Sequence, residues 1–366
     1  MCAILAGHEA IITRKGSGGV GELNVFHAGL VLDGRYRLTR PLAEGGMGSV
    51  WVGHQIALER EVAVKLLRVG TGPLRARLRR EALALAAVHH PSVVQVFDYG
   101  ETPEGSPYLV MELVRGEPLG ARIQKSGPLP ALDAVSLVLP LLDGLAAAHR
   151  AGVIHRDIKP DNVVIAAGPS GPQPKLLDFG IARMERGDEA RLTADGGFIG
   201  TPAYMAPEQV KGLAVDERVD VWGIGAVLYE MIAGRAPFGI EDVVAVIRRV
   251  LDDPPAYPRE ARGLDGRLWS TLMGALRKDP GERTPSALAL RAALSSWLES
   301  KGIAPSSRPS FEPSSAPSGP PRLAPYASTL AAEASTIDAG ADTAPTASPP
   351  SPASLDALIR AKLGQS

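Results

Sequence analysis

The chain has 366 residues, 45% hydrophobic and 22% charged, enough for about two domains, or one large domain with tails, around a sizeable core. A formal net charge of -1 supplies no global basic field, so neither nucleic acid nor an anionic membrane surface is expected as a partner. The single cysteine, Cys2, excludes an internal disulfide framework and a cysteine-based zinc site, and fits a reducing compartment.

Residues 1–29 read as a flexible leader. They contain Gly16-Ser17-Gly18-Gly19, and the first ten lack the basic and long apolar regions of a signal peptide. Residues 30–299 carry two textures. Strand-like segments at 36–42, 49–54, 62–67, 93–99 and 108–113 surround one helical stretch at 74–88. Beyond Leu119 the pattern is mostly helical, at 133–151, 220–233, 241–251, 268–276 and 286–299. A β-rich lobe over 30–113 joined to a helical lobe over 114–299 is an α+β arrangement, with the cleft between lobes as the natural ligand site.

No apolar run is expected to reach the ~18–20 residues of a membrane span. The nearest, 135–148 and 219–233, are interrupted by Pro140, Asp143, Asp220 and Glu230, so a cytoplasmic location is expected. Residues 300–366, dominated by Pro, Ser and Ala, read as a disordered tail. Within it, 355–363 could form an amphipathic helix too short to be stable alone.

The chemistry concentrates in two short segments. His155-Arg156-Asp157-Ile158-Lys159-Pro160-Asp161-Asn162 and Asp178-Phe179-Gly180 place three carboxylates, a lysine and an asparagine beside apolar runs. Charges next to buried strands are costly unless paired or ligand-bound, which points to a site for metal and phosphate. Upstream, Glu44-Gly45-Gly46-Met47-Gly48-Ser49-Val50 joins two strand-like runs. A plain hairpin turn fits it as well as a phosphate loop does. Because a strand and not a helix follows, such a loop would cover phosphates from above. Period-two alternation puts Ala63 and Lys65 on one strand face, toward the cleft. Glu81 sits between Leu78 and Leu85 in a helix's apolar stripe, where Lys65 is the obvious partner.

These motifs are joined by His90-Pro91, Val110-Met111-Glu112-Leu113, Gly200-Thr201-Pro202, Ala206-Pro207-Glu208, Asp220-Val221-Trp222-Gly223 and Arg283. Over residues 36–297 they resemble the eukaryotic-like serine/threonine protein kinases, especially the bacterial branch. The resemblance implies a bilobal protein kinase fold, ATP and Mg²⁺ as cofactors, and protein substrates bearing Ser or Thr. ATP would lie among Leu42, Gly45, Gly46, Gly48, Val50, Ala63, Met111, Glu112 and Leu113, with Lys65 on its phosphates, oriented by Glu81. Asp157 would accept or orient the substrate hydroxyl proton, Lys159 would neutralise the γ-phosphate, and Asn162 and Asp178 would hold Mg²⁺. Thr201 would seat the acceptor residue, while His155, Asp220 and the pair Glu208–Arg283 would be structural.

Two departures stand out. Ala43 replaces the usual first glycine of the loop, a change of one methyl that should leave ATP binding intact, and residues 166–174 read as a surface insertion. Arg156 precedes Asp157, the arrangement that responds to activation-loop phosphorylation. Thr193 is the only hydroxyl side chain between Gly180 and Gly200, so phospho-Thr193 is expected to pair with Arg156 and Arg183. A homodimer could carry out that autophosphorylation. The competing reading, a nucleotide-binding pseudokinase or scaffold, is disfavoured because Lys65, Glu81, Asp157, Asn162 and Asp178 are all present.

Overall fold

Period-two alternation builds the first layer. The computed structural model describes residues 26–45, 48–67, 72–168, 171–180 and 202–304. Its first strands are β1 (Val31–Leu32), β2 (Tyr36–Gly45), β3 (Gly48–Gln55), β4 (Arg60–Leu67), β5 (Val96–Glu101) and β6 (Pro107–Glu112). They form one antiparallel sheet in the order β1-β2-β3-β4-β6-β5. Val62, Val64 and Leu66 face outward with Leu38, Trp51 and Tyr108 in a cluster of their own, against which Phe26 and Leu30 pack. The opposite parity, Ala63 and Leu67 with Val50, Leu109 and Met111, turns inward to the main core. There it meets Leu78, Ala82 and Leu85 of helix α1 (Gly72–Ala86). Lys65 pairs with Leu109 and so shares the inward parity of Ala63.

The β2–β3 turn closes on Gly45 and Gly48. Gly48 has φ +139°, and a Cβ there would lie 1.9 Å from the Leu66 carbonyl oxygen, so no side chain fits. Ala43, by contrast, is an ordinary strand residue opposite Val50.

After β6 a second sheet forms in the order β7-β8-β9, from β7 (Gly116–Pro118), β8 (Val163–Gly168) and β9 (Gly171–Leu176). Of residues 166–174, expected as a surface insertion, 166–168 and 171–174 belong to the paired strands β8 and β9, with Ala166 opposite Gln173 and Gly168 opposite Gly171. The strand pattern was hidden because Gly and Pro dilute it, and the ladder is made by backbone groups. The pair of lobes is otherwise as the α+β reading expects.

The second lobe is built on α2 (Leu119–Ser126), α3 (Ala131–Arg150), α4 (Pro207–Val210), α5 (Arg218–Ala233), α6 (Val243–Asp252), α7 (Gly266–Ala275) and α8 (Ala287–Ser300). Helix α5 is apolar around nearly its whole circumference and is accordingly central, between α3, α7 and α8. Helix α3 runs through Pro140, and Asp143 on it pairs with Arg291 of α8 at 2.5 Å. Among the described residues it is the one helix long and apolar enough to cross a membrane, although the interruptions at Pro140 and Asp143 implied that no apolar run here reaches that length. Of its most apolar window, 67% is buried inside the fold.

The buried pair between α4 and the segment preceding α8 is bidentate: Arg283 donates from Nη1 to Glu208 Oε1 at 2.6 Å and from Nη2 to Oε2 at 2.8 Å. Both residues are nearly inaccessible to solvent. Arg283→Met would strand the Glu208 carboxylate, so unfolding free energy should fall by about 3–5 kcal/mol. A urea titration checks this through a lower midpoint at unchanged slope, and a shift below a quarter of that size would contradict the assignment.

Candidate functional site

The site is held from beneath by one carboxylate. Asp220, in the first turn of α5, is fully buried and accepts from the backbone N–H of His155 through Oδ2 and of Arg156 through Oδ1, both at 2.8 Å. His149 of α3 meets the same carboxylate at 2.7 Å through Nε2. Closer approach is possible because the next turn of α5 carries Gly223, where a Cβ would come within 2.8 Å of Ile158.

The segment so gripped adopts a conformation that side chains ordinarily avoid. Arg156 has φ +64° and Asp178 has φ +50°, a strain of about 1–3 kcal/mol each unless the surroundings over-determine it. They do. Besides the Asp220 bonds, Gly180 N–H donates to the His155 carbonyl and Leu177 N–H to the Asn162 carbonyl, each at 2.8 Å. The His155 ring donates from Nε2 to the Leu177 carbonyl at 2.8 Å and accepts at Nδ1 from Asp157 N–H at 3.3 Å. Burial pushes the His155 pKa down, so the imidazole is neutral, and both nitrogens are occupied in bracing the loop. Phe179 packs on it, ring centroids 4.4 Å apart.

On that frame the polar groups converge. Asn162 donates from Nδ2 to the Asp157 carbonyl at 2.7 Å and to Asp157 Oδ2 at 3.1 Å. Lys159, 5% exposed, holds its ammonium 3.6 Å from the same Oδ2. Across the cleft, Lys65 meets Asp178 Oδ1 at 2.9 Å. Lys65 thus meets Asp178, and Glu81, its expected partner, is itself engaged. Lys65 stands between two carboxylate-bearing elements, and residue spacing does not say which of them its flexible stem will reach.

With its amide nitrogen spent on Asp157, Asn162 has Oδ1 left to offer beside that carboxylate, and its backbone carbonyl accepts from Leu177, the residue before Asp178. Such a set of hard oxygen donors fits Mg²⁺, which completes its shell with water and substrate oxygens. Val50, Ala63 and Met111 belong to the apolar core on the sheet's inward face, with Leu42 and Leu113 packed against the same cluster. The Glu112 side chain is tied to Lys175 of β9 at 2.7 Å. Gly45 and Gly48 close the overlying hairpin. Gly46, Thr193, Arg183 and Thr201 lie outside the described residues.

Three groups near the site escaped sequence reasoning. Tyr204 donates to Glu230 Oε2 at 2.5 Å, and burial, with Asp161 nearby, pushes the Glu230 carboxyl pKa up. In the sequence Glu230 registered only as a break in an apolar run, although a second carboxylate in a helix so buried was itself a signal. Gln209 donates from Nε2 to the Arg156 carbonyl at 2.9 Å, and no local pattern announces that contact.

Comparison with known proteins places this geometry in context. The family described as protein kinase domain matches residues 36–291. The chain is 42% identical over 274 residues to serine/threonine-protein kinase pkn2 of Myxococcus xanthus, covering 73% of this chain and 33% of that protein. It is 38% identical over 270 residues to serine/threonine-protein kinase PknB of Mycobacterium leprae, covering 72% and 43%. To pkn3 of Myxococcus xanthus it is 35% identical over 278 residues, covering 73% and 51%. The chain thus spans between a third and about half the length of these relatives.

If Asp220 carries the loop, Asp220→Ala should release two buried N–H groups and destabilise the fold by on the order of 3 kcal/mol. Amide hydrogen exchange at His155 and Arg156 should accelerate more than at α8, and unchanged protection at both amides would refute the bracing role.

Proposed function

Since the chain belongs to the protein kinase domain family, we propose that it transfers the γ-phosphoryl group of ATP to serine or threonine hydroxyls of proteins. The observation that carries this reading is the meeting of Lys65 with Asp178 and of Asp157 with Lys159 and Asn162, joined by the bond from Leu177 N–H to the Asn162 carbonyl.

In this reading the adenine lies against Val50, Ala63 and Met111, and the Gly45–Gly48 turn covers the phosphates. Lys65 binds the α- and β-phosphate oxygens, with Glu81 as its orienting partner once phosphate draws the ammonium from Asp178. Asn162 and Asp178 would hold Mg²⁺, which supplies charge neutralisation on the phosphate oxygens when bound. Asp157 orients the acceptor hydroxyl and takes its proton as the new oxygen–phosphorus bond forms and the bond to the bridging oxygen of ADP breaks. Lys159 neutralises the charge that gathers on the transferred group. Its position two residues after Asp157 favours Ser/Thr over Tyr acceptors, which Thr201 would help to seat. His155 takes no part in proton transfer, consistent with both ring nitrogens being engaged. Thr193 is proposed as the autophosphorylated residue, with Arg156 receiving the phosphate and a second copy of the chain acting as the enzyme.

Asp157→Asn should lower phosphate incorporation from labelled ATP into a generic protein substrate by about 100- to 10,000-fold, with nucleotide affinity nearly unchanged. Equal incorporation by both proteins would instead favour the scaffold reading. Mass spectrometry after incubation with Mg²⁺ and ATP should find phosphate on Thr193, and full activity with that residue never modified would remove the switch.

A further inference from the structure

Outside the cleft, the exposed face of α1 gathers positive charge. Arg75, Ala76, Arg79, Arg80 and Leu83 share that face at helical spacing and, with Glu101 at the end of β5, line a hollow of about 630 Å³. Three arginines against one glutamate leave two positive charges in excess in the lining. Among the described residues, none of the three guanidiniums lies in ion-pair contact with a carboxylate. Glu101 instead accepts a hydrogen bond from the Tyr99 hydroxyl at 3.2 Å. Arg75 Nε is buried with no hydrogen-bond partner among the described residues, and Arg75 Nη1 lies against Gly105 in the β5–β6 turn.

Arginines at i and i+4 repel one another by a few tenths of a kcal/mol, which a structural helix would relieve with an interspersed acid. A phosphate monoester supplies what is missing: close to two negative charges and three acceptor oxygens, which guanidinium forks meet in bidentate fashion. Leu83 is 57% exposed at the end of the same face and offers an apolar contact beside the charge. Nothing in this lining extends as the basic track that a nucleic acid backbone needs. An open hollow with three guanidiniums and an apolar end suits a single phosphorylated side chain on a polypeptide.

We propose that this hollow binds a phosphorylated serine or threonine of a protein segment, with Arg75, Arg79 and Arg80 around the phosphate and Leu83 against an apolar neighbour. The occupant would bridge α1 to the β5–β6 hairpin. Because α1 also carries Glu81, occupancy would bias that carboxylate's approach to Lys65. This second consequence rests on the kinase reading, whereas the binding does not.

The test uses the full chain and a short labelled peptide containing one phosphothreonine next to a leucine, followed by fluorescence anisotropy at physiological salt. The phosphopeptide should bind at least about tenfold more tightly than its unphosphorylated twin, a difference of 1.4 kcal/mol. That preference should vanish in the doubly substituted Arg79→Gln, Arg80→Gln protein, whose thermal midpoint should match wild type. Equal binding of the two peptides, equal binding of a glutamate-substituted peptide, or a preference that survives the double substitution would each overturn the proposal. Phosphate transfer to a generic substrate is measured on the same wild-type preparation. Activity without phosphopeptide preference defeats this inference alone, and preference without activity defeats the kinase reading alone.

Discussion

The Asp220 carboxylate governs much of what surrounds it. A buried anion is tolerable only when its oxygens are fully engaged, and here they take two backbone N–H groups of the catalytic-type loop and the ring of His149. That engagement fixes Arg156 in the left-handed region and passes order along the chain through His155 to Leu177. From there it reaches Asp178, itself left-handed and the partner of Lys65. The first lobe's lysine is thus located, through a short series of hydrogen bonds, by an acid near the start of the second lobe's central helix.

The lobes are tied at further points. Val94 N–H donates to the Leu176 carbonyl and Leu176 N–H to the Ser92 carbonyl, while Gln173 reaches the Ser92 hydroxyl at 3.0 Å. Lys175 adds its pair with Glu112. All four contacts come from β9, whose first residues, Gln173 among them, fall in the segment that read as an insertion. The hairpin therefore has a mechanical place in the site: it connects the end of β6 to the strand that delivers Asp178.

Where local chemistry decides, the sequence was legible. The alternation of Val62, Ala63, Val64 and Lys65 assigned their faces because a strand's parity leaves no choice. The helical stretches of the second lobe emerged because three-to-four spacing of large apolar residues has few other solutions. The motif residues around Asp157 stood out because so many charges beside apolar runs demand a purpose. Strand β8–β9 and helix α2 were less legible, one diluted by Gly and Pro and the other short and weakly patterned. Pro140 lies within α3 without ending it, as the helical spacing over 133–151 implied: the buried packing of α3 outweighs the loss of one backbone hydrogen bond.

The sequence by itself determined the two-lobed α+β class, the identity of the charged residues that the cleft collects, and the parity that turns Lys65 inward. Each follows from short-range periodicity or from residue chemistry, which a linear pattern carries in full. Only the tertiary structure decided which carboxylate Lys65 meets, that Asp220 accepts from two successive loop amides, and that Tyr204 and Glu230 join beneath the site. It also decided that the arginines of α1 enclose a hollow with Glu101. Those are encounters between groups tens of residues apart, set by packing distances of a few ångströms that no local pattern encodes.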